Sequence, residues 1–282
     1  MARRPVTGTE RIAEAFAAAR ADGRRAALMP YLMGGFPSLD ASLRIGLAYP
    51  QAGADVVELG VPFSDPLADG PVVHAAGSAA LRAGATLDRV LEVARAVAEQ
   101  VAVVVMCYSN VILARGLERF ADALAAAGAS GLIVPDLPLE EAPATLVACD
   151  ERGLALVPLV APGTPDERLE LIGARARGFL YTVSLTGTTG ERAALDGGLA
   201  GTVARAVAST EVPVAVGFGI ATAEQAGAAA SAGADGVIVG SRLVRAAGEA
   251  HDPVGAVREL VRGFAAALSE YPVGERRAGD SR

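Results

Sequence analysis

QAGADVVELG (51–60), AAGASGLIVPD (126–136) and SAGADGVIVG (231–240) follow one pattern. In each, Ala-Gly closes a helix, with the Gly at the left-handed position just past its end, and an apolar β-rich run follows that reads as a buried parallel strand. A helix closure feeding a strand three times over is a βα repeat. Working outward from these junctions gives eight runs: AALMPYLM (26–33), ADVVELGV (54–61), VAVVVMCY (101–108), GLIVPDL (131–137), LALVPLVA (154–161), GFLYTVSL (178–185), PVAVGFG (213–219) and GVIVG (236–240). Helical spacing fills the intervals, as in 87–100, 116–128 and 222–233. Eight alternating units with no GxGxxG after the first strand predict a closed (β/α)8 TIM barrel rather than an open doubly wound sheet. A further helix over 9–23 precedes the first strand and is expected to plug the barrel floor. The chain reads as one domain, with a core over 9–268 and a frayed polar tail over 270–282.

Composition narrows the chemistry. The 282 residues are 52% hydrophobic with a mean hydropathy of +0.37, enough for one large core. No apolar run approaches the ~18 residues of a membrane helix, and Met1–Pro5 lead into polar residues instead of an apolar signal core, which predicts a cytoplasmic protein. Net charge is −7 and the basic residues are scattered, so neither nucleic acid nor a membrane is the expected partner. All 25 basic residues are Arg, and the chain has no Lys. That excludes Schiff-base aldolases, pyridoxal-phosphate enzymes and P-loop NTPases, each of which needs a lysine amine. With two histidines, His74 and His251, a His-rich metal centre is not expected, although an all-carboxylate Mg²⁺ site stays open. Cys107 and Cys149 lack metal or redox spacing and read as inert thiols.

Active sites of this architecture lie at the C-terminal ends of the strands. There the second run continues as ELGVPFSDPLADGP (58–71), placing Glu58 inside an apolar strand and Asp65 and Asp69 in the loop behind it. A carboxylate among Val, Leu and Gly is desolvated, and desolvation tunes it for proton transfer. The bland alternative is a buried structural hydrogen bond for Glu58 and simple turn roles for Asp65 and Asp69. Three later strand ends carry glycine: TGTTG (186–190), GFG (217–219) and GS (240–241). They fit either tight turns or a phosphate cradle of backbone N–H groups.

Those segments, with VMCYSN (105–110), VPDLP (134–138), VGFGI (216–220) and VGS (239–241), closely resemble the tryptophan synthase alpha subunit family from about residue 9 to about 268. The resemblance implies a retro-aldol lyase that cleaves indole-3-glycerol phosphate to indole and glyceraldehyde 3-phosphate. With no lysine, the electron sink is then the indole ring itself, protonated at C3. Matching positions make Glu58 the proton shuttle and Asp69 the acceptor of the indole N–H. Tyr31, Met106, Ile133, Tyr181 and Phe218 match substrate-pocket positions, Thr189 the lid threonine, and Gly190, Gly219, Gly240 and Ser241 the phosphate cradle. Asp65, Asn110 and Pro138 match loops that face a beta subunit, which would carry its own pyridoxal phosphate in an α2β2 heterotetramer; this chain would hold no cofactor and no metal.

The chain departs from the family pattern at Leu185, where many members are polar or basic, at Thr188 in place of Val, and at His74 in place of Gln. Rival readings are a stand-alone lyase releasing free indole, a non-catalytic activator of a beta subunit, and a phosphosugar isomerase on the same barrel.

Overall fold

The computed structural model describes residues 6–183, 198–217 and 219–271. Its strands are β1 Ala27–Met33, β2 Val56–Gly60, β3 Ala102–Met106, β4 Gly131–Ile133, β5 Ala155–Val157, β6 Leu159–Val160, β7 Leu180–Val183, β8 Val214–Gly217 and β9 Gly236–Val239. All pairings are parallel, in the order β5-β4-β3-β2-β1-β9-β8-β7-β6. The two ends of that order, β5 and β6, are consecutive in the chain and joined through Pro158, so the sheet closes into the expected TIM barrel.

Here the structure corrects the count of eight strands. The run 154–161 is two segments, because Pro158 has no N–H to give to a ladder. One half pairs with β4 and the other with β7, and the Pro158 carbonyl still accepts from the Tyr181 N–H at 3.0 Å.

The repeated junctions show why the pattern recurs. Gly53, Gly128 and Gly233 take φ of 103°, 71° and 103°, the left-handed turn that ends each preceding helix. The acid two residues on then ties down the neighbouring strand. Asp55 Oδ2 accepts from the Leu28 N–H at 2.7 Å, and Asp235 Oδ2 from the Val214 N–H at 3.0 Å. Serine holds that place in the middle repeat, and its buried hydroxyl reaches no partner among the described residues.

Alternation along the strands divides the interior in two. Leu28, Leu32, Val57, Leu59, Val103, Val105 and Leu132 face the helices, while Met29, Tyr31, Val56, Val104, Ile133, Val157, Phe179 and Tyr181 fill the barrel. The Gly8–Ala21 helix closes the floor as expected. Its Ile12 and Phe16, both buried, join the inner cluster, and Arg11 donates to the carbonyls of Ala98, Val101 and Gly128 beneath β3 and β4. A Thr7–Glu10 capping box starts that helix. No described helix is long and apolar enough to cross a membrane.

Candidate active site

Two glycines make room for two tyrosines at the upper layer of the barrel. A Cβ on Gly60 of β2 would overlap the Tyr31 phenol, and one on Gly217 of β8 would overlap that of Tyr181. Both rings are thereby laid across neighbouring strands, and both are buried. Glu58 is the Cα partner of Tyr31 in the β1–β2 ladder and of Val104 in the β2–β3 ladder. It is 2% exposed, and its Oε2 has no hydrogen-bond partner among the described residues. Burial, helped by the charge of Asp69, pushes its carboxyl up to about 8. A structural acid would be hydrogen-bonded. Here one oxygen has none among the described residues, which is what a group kept for proton transfer would show.

Asp69 sits in different surroundings. It precedes the Pro71–Arg82 helix, whose first position is a proline and whose cap, Gly70, has no side chain to offer. Burial raises the Asp69 carboxyl, while a hydrogen bond from Tyr108 and the facing charge of His74 pull it down. The Tyr108 hydroxyl donates to Asp69 Oδ1 at 2.9 Å and accepts from the Ala68 N–H at 3.1 Å. Its ring stacks on Phe63, 5.2 Å between centroids. One side chain at the end of β3 thus fixes both the loop after β2 and the acid in it. The sequence reading missed Tyr108 as a site residue, although VMCYSN places it two positions past an inward Met106; a tyrosine just beyond a barrel strand end was the available signal. His74 is exposed on its helix, yet its charge reaches Asp69.

Replacing Tyr108 by Phe keeps the stacking but removes the hydrogen bond that favours the charged carboxylate. The acid limb of the activity profile is then expected to move to higher pH, with the loss of one charge-assisted bond worth ~1.5–3 kcal/mol. A kcat/KM profile from about pH 5 to 9 checks it, and an unmoved limb would detach Tyr108 from Asp69.

Of the other expected site residues, Met106, Ile133 and Tyr181 line the barrel interior and are buried. Gly219 has φ of 81°, and Gly240 caps the Ser241–Glu249 helix, which begins directly after β9. Both glycines therefore lie at the same barrel mouth, beside the N-terminus of a helix. Thr189, Gly190, Phe218, Leu185 and Thr188 lie outside the described residues.

Asp65 and Pro138 are exposed on the loops after β2 and β4, and Asn110 is exposed in the first turn of the Ser109–Arg115 helix after β3. Those loops are tied to one another: Val61 N–H donates to the Met106 carbonyl at 2.8 Å, and the Ser109 N–H to Asp136 Oδ1 at 2.9 Å. Asn110 also lines an open groove of about 400 Å³ with Phe63, Leu87 and Val111. No cluster of three or more His, Cys, Asp or Glu suited to a metal occurs among the described residues. Cys107 and Cys149 are buried and free, and burial holds both thiols well above the usual range.

The fold is a TIM barrel whose mouth, where enzymes of this architecture place their active sites, holds two carboxylates in unlike surroundings. The model of the family described as tryptophan synthase alpha chain matches residues 16–268. The tryptophan synthase alpha chain of Synechococcus elongatus is 46% identical over 264 residues, 93% of this chain and 98% of that one. The structure resembles that of Mycobacterium tuberculosis tryptophan synthase with a TM-score of 0.86 at 40% identity, covering 94% of this chain and 99% of the other. It also resembles a chain of the Pyrococcus furiosus tryptophan synthase a2b2 complex, TM-score 0.80 at 35% identity, covering 86% and 98%. This chain belongs to the tryptophan synthase alpha chain family and is a carbon–carbon lyase of tryptophan biosynthesis.

Proposed function

We propose that Glu58 and Asp69 divide the work of cleaving indole-3-glycerol phosphate into indole and glyceraldehyde 3-phosphate. The observation that carries this division is the contrast between the two acids. Glu58, buried and without a partner for Oε2 among the described residues, keeps its proton to about pH 8 and has one to give at neutral pH. It protonates C3 of the indole, making the ring an electron sink in a chain that has no lysine to form an imine. As a carboxylate it then takes the proton of the glycerol hydroxyl; the O–H electron pair becomes the aldehyde C=O, and the pair of the broken C–C bond restores the neutral indole. Asp69, whose carboxyl is raised by burial and drawn back toward the anion by Tyr108 and His74, accepts the indole N–H and balances the positive charge that develops on the ring.

Gly219, Gly240 and Ser241 are the described part of the phosphate cradle, offering backbone N–H groups in place of a basic side chain. A beta subunit, carrying the pyridoxal phosphate, is the partner on the face of Asp65, Asn110 and Pro138, in an α2β2 assembly; support comes from the exposure of all three and from the complex that the Pyrococcus relative forms. Incubating the chain with indole-3-glycerol phosphate and following indole tests the reaction. Indole release that rises when a beta subunit is added supports it, and no release in either condition rejects it.

Asp65 donates nothing to the acid pair; its carboxylate accepts from the Ser64 hydroxyl at 2.7 Å and faces solvent. Asp65→Ala is therefore expected to leave basal cleavage intact while reducing activation by the beta subunit, by a coupling of ~1–3 kcal/mol. A titration of rate against added beta subunit decides it. Equal activation of variant and wild type would take Asp65 off the interface, and a collapse of basal rate would move it into the catalytic group.

A further inference from the structure

The geometry points to Tyr31 as a catalytic hydrogen-bond donor, its phenol O–H serving the substrate hydroxyl oxygen that Glu58 deprotonates. This rests on the cleavage proposed above and adds a group to it. Tyr31 projects into the barrel from β1 as the register partner of Glu58. Its ring crosses above Gly60, two residues further along β2, so the hydroxyl stands on the mouth side of Glu58, where a substrate enters. The backbone beneath it is fixed, because the Tyr49 hydroxyl donates to the Tyr31 carbonyl at 3.0 Å.

The hydroxyl itself is poorly served. Tyr31 is 6% exposed, and the acceptor described for its O–H is the Met33 thioether at 3.9 Å. Sulfur is a weak acceptor, and a buried tyrosine hydroxyl ordinarily has a full partner. Packing over Gly60 needs only the ring, which phenylalanine would supply. Burial, and after it the charges of Asp69 and Glu58, hold the phenol protonated, so it remains a donor.

In the step concerned, the substrate O–H proton passes to the Glu58 carboxylate and the C–C bond breaks toward the protonated ring. Negative charge gathers on the oxygen as the aldehyde forms. The Tyr31 O–H, turned from Met33 to that oxygen, stabilises it while keeping its own proton. Donors of this kind act on the transition state more than on the bound substrate, so their loss shows in kcat and not in KM.

The test is Tyr31→Phe in the complex with a beta subunit, assayed by indole release from indole-3-glycerol phosphate. The expected result is a fall in kcat of ~10- to 100-fold with KM moved less than about threefold. An indole alkyl phosphate without hydroxyls is expected to bind the variant as tightly as the wild type. A kcat within about twofold of wild type would overturn the inference, and so would a loss of analogue binding as large as the loss of kcat, which would make Tyr31 a packing residue. Should the Phe variant not fold, 3-fluorotyrosine placed at position 31 offers a stronger donor on nearly the same ring; an unchanged kcat there would overturn the inference as well. Wild-type indole release is read first in the same assay, so failure of the cleavage reaction and failure of the Tyr31 role are told apart.

Discussion

Glu58→Gln is expected to reduce indole release by ~10² to 10⁴ while making the protein more stable at alkaline pH. Glutamine keeps the shape of the side chain but carries no transferable proton, so both proton transfers assigned to residue 58 are lost together. The stability effect has the opposite sign. Glu58 holds its proton to about 8 in the folded chain, against 4.5 for an ordinary glutamate. Between those values the unfolded chain has released a proton that the native protein retains, and stability therefore falls as pH rises through the window. The neutral amide is spared that loss. Urea melts at about pH 5 and about pH 9 should show little difference between variant and wild type at the lower pH and a gap on the order of several kcal/mol, favouring the variant, at the higher. A gap that does not widen with pH would mean that Glu58 is not desolvated as the structure has it.

Asp69→Asn is the second large effect, for a different reason. The amide can still meet the Tyr108 hydroxyl, but it presents no negative charge to an indole ring made positive by protonation. A fall in kcat/KM of ~10² to 10³ is expected, comparable to removing a preorganised electrostatic partner from a water-poor site. Because the Asp69 charge is also one cause of the raised Glu58 carboxyl, its removal should lower the pH at which Glu58 gives up its proton. The alkaline limb of the profile then moves to lower pH in Asp69→Asn, opposite in direction to the acid-limb shift expected for Tyr108→Phe. An unchanged kcat/KM would remove Asp69 from the reaction.

The two acids were legible in the sequence because each breaks a local rule. Glu58 interrupts a run of Val and Leu that has no other reason to hold a charge, and Asp69 stands where a strand end turns into a Pro-started helix. The barrel was legible through the AGAD and AGAS junctions, whose glycines need a left-handed turn; in the two AGAD junctions the acid also braces the neighbouring strand. What the pattern could not disclose depends on contacts between segments distant in the chain. Pro158 lies inside an apolar run of ordinary strand composition, and only the change of partner from β4 to β7 shows that it divides the strand. Tyr108 reads as one more aromatic after a strand, and its grip on Asp69 spans 39 residues of sequence. The Gly60 and Gly217 positions look like weak points in strands until the tyrosines above them are seen.

Whether a buried neutral Glu58 moves the protons in the cleavage of indole-3-glycerol phosphate is read from indole release by the wild-type chain and by Glu58→Gln, each with a saturating beta subunit. Steady release is expected from the wild type, declining as pH rises through about 8, with release from the variant lower by ~10² or more at every pH. Indole formed by Glu58→Gln at a rate near that of the wild type would contradict that role.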